Sequence, residues 1–136
     1  MGLTTRPSPC SIRTRWPSDA LIAPTRIYVK PVLPLMKAGL IKGAAHITGG
    51  GLIENPPRCI AEGLHAAFGL GRHSLAARVS SGWARRAASR ITSMRRTFNC
   101  GVGFILVVAP ENAEPVLAAL LNAGEAAFVC GQLAAD

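Results

Sequence analysis

The chain has 136 residues, of which 49% are hydrophobic, so it can form one domain with its own core and is not an intrinsically disordered tail. Its longest apolar run, residues 102–109, is far shorter than the roughly 20 residues of a membrane helix, and we expect no membrane partner. The net charge of +8 is typical of proteins that bind nucleic acid, but the excess lies in residues 1–20 and 69–93, and the remaining chain is nearly balanced. We therefore expect no nucleic-acid partner.

The first 20 residues are rich in Pro, Arg and Ser and lack the apolar core of a signal peptide. This composition predicts a cytoplasmic protein, with a weak likeness to a transit peptide as the alternative. The next segment, residues 21–43, has helical periodicity. The apolar residues that share its predicted face are Leu21, Ile22, Ile27, Tyr28, Val32, Leu35 and Met36. Pro24 suits a first helical turn, whereas Pro34 predicts a kink.

A short buried strand is predicted over residues 43–48, and it leads into Gly49, Gly50 and Gly51. Consecutive glycines reach left-handed conformations at little cost and let backbone N–H groups approach a ligand. If a helix begins there, its free N–H groups and positive dipole end favour a bound phosphate. A plain flexible turn is the alternative. Residues 52–55 can form only a brief helical turn, because Pro57 and Pro56 disfavour helix in the residues before them.

The C-terminal part has the clearest pattern. Residues 102–109 are β-branched or large and apolar, as in an internal strand. A helix begins at Pro110 and is capped near Gly124, and its apolar residues Val116, Leu117, Leu120 and Leu121 share one face. Residues 126–133 predict a returning strand. The result is a β-α-β unit, whose crossover should be right-handed if its strands are parallel.

The four cysteines are far apart, with no CxxC pair and no close Cys/His group of the kind that binds zinc. The sequence therefore predicts no metal site in this chain and indicates free thiols. Cys100 lacks an evident partner base, which argues against a role as nucleophile.

Three blocks together resemble the phosphoribosylformylglycinamidine cyclo-ligase (aminoimidazole ribonucleotide synthetase) family. They are APTRIYVKPVL at residues 23–33, HITGGGLIEN at residues 46–55 with Arg58 following, and MRRTFNCGVG at residues 94–103. TGGG alone is shared with relatives such as selenophosphate synthetase and thiamine-monophosphate kinase, whereas the other two blocks look specific to the cyclo-ligase. The resemblance covers residues 21–68 and 94–133.

The resemblance implies an α+β C-terminal domain, a layered sheet with packed helices. It also implies ATP-dependent cyclisation of formylglycinamidine ribonucleotide to aminoimidazole ribonucleotide in purine biosynthesis, with Mg²⁺ as a cofactor. In the family, an N-terminal domain carries the acidic metal ligands and much of the nucleotide site, and it forms the homodimer. We expect this chain to be a fragment without that domain, inactive by itself.

Two segments depart from the family pattern. Residues 1–20 replace a block that contains serine, glycine and histidine, and residues 69–93 have the usual length but a foreign, Arg/Ser/Ala-rich content. We expect residues 1–20 to be a leader that is not native to the fold and residues 21–136 to be an incomplete cyclo-ligase domain. A change of reading frame in both segments would explain their composition, and translating the gene in its other frames tests this hypothesis.

The candidate site residues follow from the blocks. His46 is the candidate catalytic residue, because its side chain titrates nearest neutral pH; a satisfied structural histidine is the alternative. The candidate residues for binding substrate or phosphate are Thr48, Gly49, Gly50, Gly51, Asn55, Arg58, Thr97 and Asn99. For Asn55 and Arg58 the alternatives are a helix cap and a surface charge, and for Asn99 a turn residue. The other functional interpretations are a non-catalytic remnant of the enzyme and, less favoured, a basic binding module built on residues 69–93.

Overall fold

The computed structural model describes residues 2–6, 24–69 and 95–135. Its elements in chain order are β1 (Gly2–Arg6), α1 (Val29–Lys37), β2 (Ile41–His46), α2 (Gly51–Glu54), a 3₁₀ turn (Pro56–Cys59), β3 (Leu64–Phe68), β4 (Phe104–Val108), a second 3₁₀ turn (Pro110–Asn112), α3 (Ala113–Asn122) and β5 (Ala126–Ala135). Helices and strands are interspersed along these residues, and the strands form one sheet. The predicted α+β class is confirmed. None of the described helices combines the length and the apolar character that crossing a bilayer requires.

The five strands form one sheet in the order β2-β4-β1-β5-β3. Every neighbouring pair is antiparallel, and β1 pairs with both β4 and β5, so those two strands run in the same direction with β1 between them. The predicted β-α-β unit is therefore present as a split unit: α3 connects two parallel strands that are not adjacent. The partner of both strands comes from the N-terminal segment.

The N-terminal segment holds the main surprise of the topology. Gly2–Arg6, within the predicted leader, supply the middle strand of the sheet, and Leu3 lies opposite Leu106 on one side and Val129 on the other. Sequence alone did not predict this strand, because five residues with the pattern GLTTR are too short to reveal an alternation of apolar and polar residues. Residues 7–23 and 70–94 lie outside the described residues, so the assignment of foreign segments there and the helical positions of Leu21 and Ile22 stay predictions.

One face of the sheet packs on α1 and α3. Its buried residues are Tyr28, Val32, Leu35, Leu106, Val108, Ala113, Val116 and Leu120. Alternation along β4 sends Leu106 to this face and Ile105 to the other, where a second buried cluster forms. That second cluster contains Ala45, Ile47, Leu52, Cys100, Val102, Ile105 and Cys130.

Helix α1 is shorter than the predicted helical segment. Residues 24–28 are not helical, so the interpretation of Pro24 as a first-turn residue is wrong. The first helical hydrogen bond runs from Val32 N–H to the Tyr28 carbonyl, which leaves Pro31 in the first turn, where a missing N–H costs nothing. Pro34 lies inside the helix. The helix ends at a glycine with positive φ, Gly39, followed by a bond from Leu40 N–H to the Leu35 carbonyl.

Helix α3 ends in the same way, at the predicted glycine. Gly124 has φ +79°, its N–H donates to the Leu121 carbonyl, and the N–H of Glu125 donates to the Leu120 carbonyl at 2.9 Å. This is a Schellman motif, in which the residue after the glycine usually makes an apolar contact with the last helical turn. Here that position holds a buried glutamate, Glu125.

Candidate functional site

An open cleft lies at the end of β2 and the beginning of β4. Three segments line it, residues 24–28, 46–48 and 97–99, together with Gly103. Its volume of about 540 Å³ falls in the range of small-molecule sites. These segments belong to the three sequence blocks that carry the family resemblance, so residues far apart in the chain meet at one place.

An aromatic group forms one wall of the cleft. The Tyr28 ring lies 5.9 Å from the His46 ring in an edge-to-face arrangement and 5.0 Å from the Phe104 ring, and His46 and Phe104 are 5.9 Å apart. These centroid distances are typical of aromatic pairs that contribute to stability. A Cβ at Gly103 would collide with the Tyr28 hydroxyl, so the glycine allows the hydroxyl end of the ring to approach the backbone. The imidazole of His46 is exposed but held by two rings.

The triglycine loop has one open and one packed end. The Gly51 N–H donates to the Thr48 carbonyl at 3.0 Å, and Gly50 and Gly51 have φ of +98° and +55°. A Cβ at Gly51 would collide with the Arg95 carbonyl and approach the Phe98 carbonyl to 2.7 Å, whereas nothing lies within 4 Å of a Cβ at Gly49. Gly51 therefore packs the loop against residues 95–98, and the backbone at Gly49 is accessible to a ligand.

The Asn55 side chain fixes this loop by hydrogen bonds to its carbonyls. This side chain is buried, with the residue 3% exposed, and its amide nitrogen donates to the carbonyls of Gly51 at 2.9 Å, Gly49 at 3.3 Å and Thr48 at 3.4 Å. Helix α2, which follows the glycines, has only four residues, so its dipole is small. These hydrogen bonds give Asn55 a structural role in the loop, which differs from the expected helix cap because its side chain makes no capping bond to the 3₁₀ turn that follows.

The second loop of the site is a tight turn at residues 99–102. Cys100 and Gly101 both have positive φ, +51° and +82°, and the Val102 N–H donates to the Asn99 carbonyl at 2.9 Å. The Asn99 side-chain oxygen accepts the Gly101 N–H at 3.0 Å. Burial raises the pKa of the Cys100 thiol, although the nearby Arg95 charge acts in the opposite direction. A buried thiol of raised pKa is a poor nucleophile.

The structure brings some of the predicted residues together and separates others. His46, Thr48, Thr97 and Asn99 line the cleft. Gly49, Gly50, Gly51 and Asn55 form the adjoining loop and its support, while Arg58 lies exposed on the first 3₁₀ turn and does not line the cleft. Thr25, Arg26 and Tyr28 line it as well, and site prediction missed them. The APTRIYVK block was the signal for them, because it belongs to the resemblance.

The described residues do not form a metal centre. They contain no group of three or more His, Cys, Asp or Glu side chains that is placed to hold an ion. Mg²⁺ prefers several oxygen ligands with carboxylates among them, and the described lining of the cleft contains no carboxylate. The donors of these segments thus do not fit a protein-bound Mg²⁺.

Comparison with known proteins gives the same family that the three sequence blocks resemble. Residues 4–136 match the family described as AIR synthase related protein, C-terminal domain. A phosphoribosylformylglycinamidine cyclo-ligase of Chromobacterium violaceum is 48% identical over 85% of this chain, and that of Burkholderia pseudomallei is 44% identical over 88%. A bifunctional purine biosynthetic protein of Schizosaccharomyces pombe is 41% identical over 85% of the chain.

The match covers only part of each relative. It extends over 33% of the Chromobacterium enzyme, 34% of the Burkholderia enzyme and 14% of the yeast protein. The chain thus spans about a third of the length of the bacterial cyclo-ligases that it matches. Given the match over residues 4–136 and these identities, the chain belongs to the family of AIR synthase related C-terminal domains.

Proposed function

We propose that this chain supplies the C-terminal part of a phosphoribosylformylglycinamidine cyclo-ligase site. The reaction is the ATP-dependent ring closure of formylglycinamidine ribonucleotide to aminoimidazole ribonucleotide, ADP and phosphate, a step of purine biosynthesis. The observation that carries the proposal is the cleft, in which residues 24–28, 46–48 and 97–99 meet. These residues come from the blocks that resemble the family, and relatives with the enzyme's name share 44–48% identity with the chain.

The cleft offers polar groups that suit a phosphorylated substrate. The hydroxyls of Thr48 and Thr97 are hydrogen-bond donors to phosphate or amide oxygens. In the adjoining loop, nothing lies within 4 Å of a Cβ at Gly49, which leaves room for an oxyanion beside the backbone. ATP, when bound, supplies the phosphoryl group that turns the amide oxygen into a leaving group. Because Mg²⁺ does not fit the described residues, its ligands are expected from the N-terminal domain of the family.

His46 is proposed to accept the proton that the attacking nitrogen loses on ring closure. Neutral imidazole accepts a proton at one ring nitrogen, which makes histidine the side chain used most often as a general base. The rings of Tyr28 and Phe104 fix its orientation at the cleft. Held in this way, the imidazole loses little freedom when the substrate binds.

The partners are part of the same proposal. Formylglycinamidine ribonucleotide and ATP are the small-molecule partners, and an N-terminal domain of the family completes the site and mediates homodimerisation. The proposed location is the cytoplasm. Binding to nucleic acid or membranes is not part of the proposed function.

The test is formation of aminoimidazole ribonucleotide from formylglycinamidine ribonucleotide and ATP. The chain is assayed alone and with a separately made N-terminal two-thirds of the Chromobacterium relative. We expect product only from the mixture, with loss of at least about tenfold in rate for His46→Gln and wild-type rate for the surface control Lys37→Gln. Product from the chain alone, or no product from a folded mixture, would contradict the proposal.

A further inference from the structure

A salt bridge reaches from the cleft to the end of α3. The Nε and Nη2 atoms of Arg26 both donate to one oxygen of Glu125, at 3.1 and 2.8 Å. The Arg26 side chain is 34% exposed and the Glu125 side chain 4% exposed. The pair thus has a buried anionic end and a cationic end that lines the cleft.

The position of Glu125 is unusual for a carboxylate. It follows the glycine that ends α3, where the Schellman motif usually places an apolar residue. Its second carboxylate oxygen, Oε2, is buried and has no hydrogen-bond partner among the described residues. Burying a carboxylate costs stability unless it is paired. An apolar side chain would end the helix equally well, so the carboxylate calls for a purpose beyond the cap.

Arg26 supplies a positive charge to the described lining of the cleft. The lining contains no Asp or Glu, and hydroxyl side chains from Thr25, Thr48 and Thr97 accompany the guanidinium. A guanidinium carries five N–H donors in a rigid fork, and Glu125 occupies those of Nε and one of Nη2. The donors that remain suit the oxygens of a phosphate group.

We propose that Arg26 binds a phosphate monoester in this cleft and that Glu125 is a positioning residue that holds the guanidinium in place. The identification of that monoester as the ribose phosphate of the substrate rests on the proposed function; the binding itself does not. Because the guanidinium is fixed before the ligand arrives, little side-chain entropy is lost on binding. The buried carboxylate is fixed in turn by the end of α3.

The test uses the full chain and ribose 5-phosphate, with ribose as the unphosphorylated comparison, in isothermal titration calorimetry. We expect saturable binding of ribose 5-phosphate and none of ribose. Arg26→Gln should weaken binding at least about tenfold, since it removes charge-assisted hydrogen bonds, and Lys37→Gln should leave it unchanged. Arg26→Lys keeps the positive charge but replaces the planar guanidinium with an ammonium group. We expect this variant to bind ribose 5-phosphate at least about fivefold more weakly than the wild type.

Glu125→Gln tests the positioning role. It should weaken binding of ribose 5-phosphate several-fold in the wild-type chain and have no further effect in the Arg26→Gln background, because its influence passes through Arg26. Circular dichroism shows whether each variant is folded. If Glu125→Gln is unfolded, the Arg26 variants still decide whether Arg26 binds the phosphate.

Three results would overturn the inference: no binding of ribose 5-phosphate to the wild-type chain, full rescue by Arg26→Lys, or a loss of stability in Arg26→Gln without a change in affinity. A fourth, unchanged affinity in folded Glu125→Gln, would overturn the positioning role. These binding experiments require no ring closure. A chain that binds the phosphate through Arg26 but forms no aminoimidazole ribonucleotide with its complement would contradict the proposed function alone.

Discussion

The two faces of the sheet are covered in different ways. On one face, α1 and α3 bury large aliphatic residues such as Val116 and Leu120. On the other, the cover consists of a four-residue helix, a 3₁₀ turn and the turn at residues 99–102. The cluster on this face includes the buried Cys100 and Cys130 and the partly buried Cys59. Regular helices fill space by side-chain packing, whereas loops do so by close backbone approach, which requires glycine and side-chain clamps. The cleft lies between the two faces: residues 97–99 adjoin the loop face, whereas Tyr28 belongs to the buried cluster of the helix face.

The helix face should be the most sensitive to truncation. Leu120→Ala removes a fully buried side chain beneath a regular helix that cannot collapse far, and we expect the free energy of unfolding to fall by about 3–4 kcal/mol. Urea denaturation measures the change. The neighbour Leu121 is 51% exposed, and Leu121→Ala should change stability by less than about 0.5 kcal/mol. Equal effects of the two substitutions would contradict the assigned helix face.

The loop face should instead be sensitive to added atoms. Gly51→Ala adds a methyl group against the Arg95 carbonyl at a residue with φ +55°, and we expect a loss of about 2–3 kcal/mol with displacement of residues 95–98. Gly49→Ala is the matched control within the same triglycine and should stay within about 0.5 kcal/mol, because the space there is open. Thermal unfolding of both variants compares them directly, and similar losses would refute the packed role of Gly51.

A smaller effect is expected at the clamp of the triglycine loop. Asn55→Ala removes the side-chain amide that donates to three carbonyls and should cost about 2 kcal/mol of unfolding free energy. The control is Asn112→Ala, since Asn112 precedes α3 without a side-chain capping bond and its loss should cost little. Amide hydrogen exchange should also accelerate at residues 48–51 in Asn55→Ala. Unchanged exchange there would argue against the clamp.

The smallest expected effect is a pH dependence of the unfolding free energy that arises from Cys130, a buried residue of the loop face. Burial raises the pKa of Cys130 to about 11 from its ordinary value of 9.0. The unfolded thiol loses its proton first as the pH rises, so the stability contributed by the protonated thiol is complete below pH 9 and is lost as pH rises through about 11. At pH 9.5 the loss should be about 1 kcal/mol relative to neutral pH. The difference between wild type and Cys130→Ala over this range isolates the effect, because the buried Cys100, whose pKa is also raised, contributes equally to both proteins.

The elements with strong local patterns were predictable from the sequence. Residues 102–109 and 126–133 indicated the strands β4 and β5. The helical periodicity of the apolar residues after Pro110, with Gly124 at its end, indicated α3. The structure confirms their type and order, but Leu121, which was expected on the shared apolar face of α3, is 51% exposed because the helix turns it away from the sheet. Their neighbours in the sheet were not predictable, because strand pairing depends on contacts distant in sequence. β1 and β3 are short and have no strong apolar alternation.

The site was predictable only as a set of segments. Motif similarity located the residues of both loops but did not separate those that line the cleft, such as His46, from those that support it, such as Asn55. That distinction depends on which way each side chain points after folding. Arg26 was missed for a related reason: its ion-pair partner, Glu125, lies almost at the other end of the chain.

The central position of β1 has a consequence for the order of events during synthesis. β4 and β5 run parallel with a strand between them, so they cannot join until Gly2–Arg6 enters the gap. Because β1 precedes β4 and β5 in the chain, it is synthesised first and must wait for both of them before the sheet closes. Such distant pairing is slow, and until it occurs both strands present unpaired backbone edges, which favours association between nascent copies. The yield of folded protein should accordingly depend on temperature and chaperone supply more strongly than its final stability suggests.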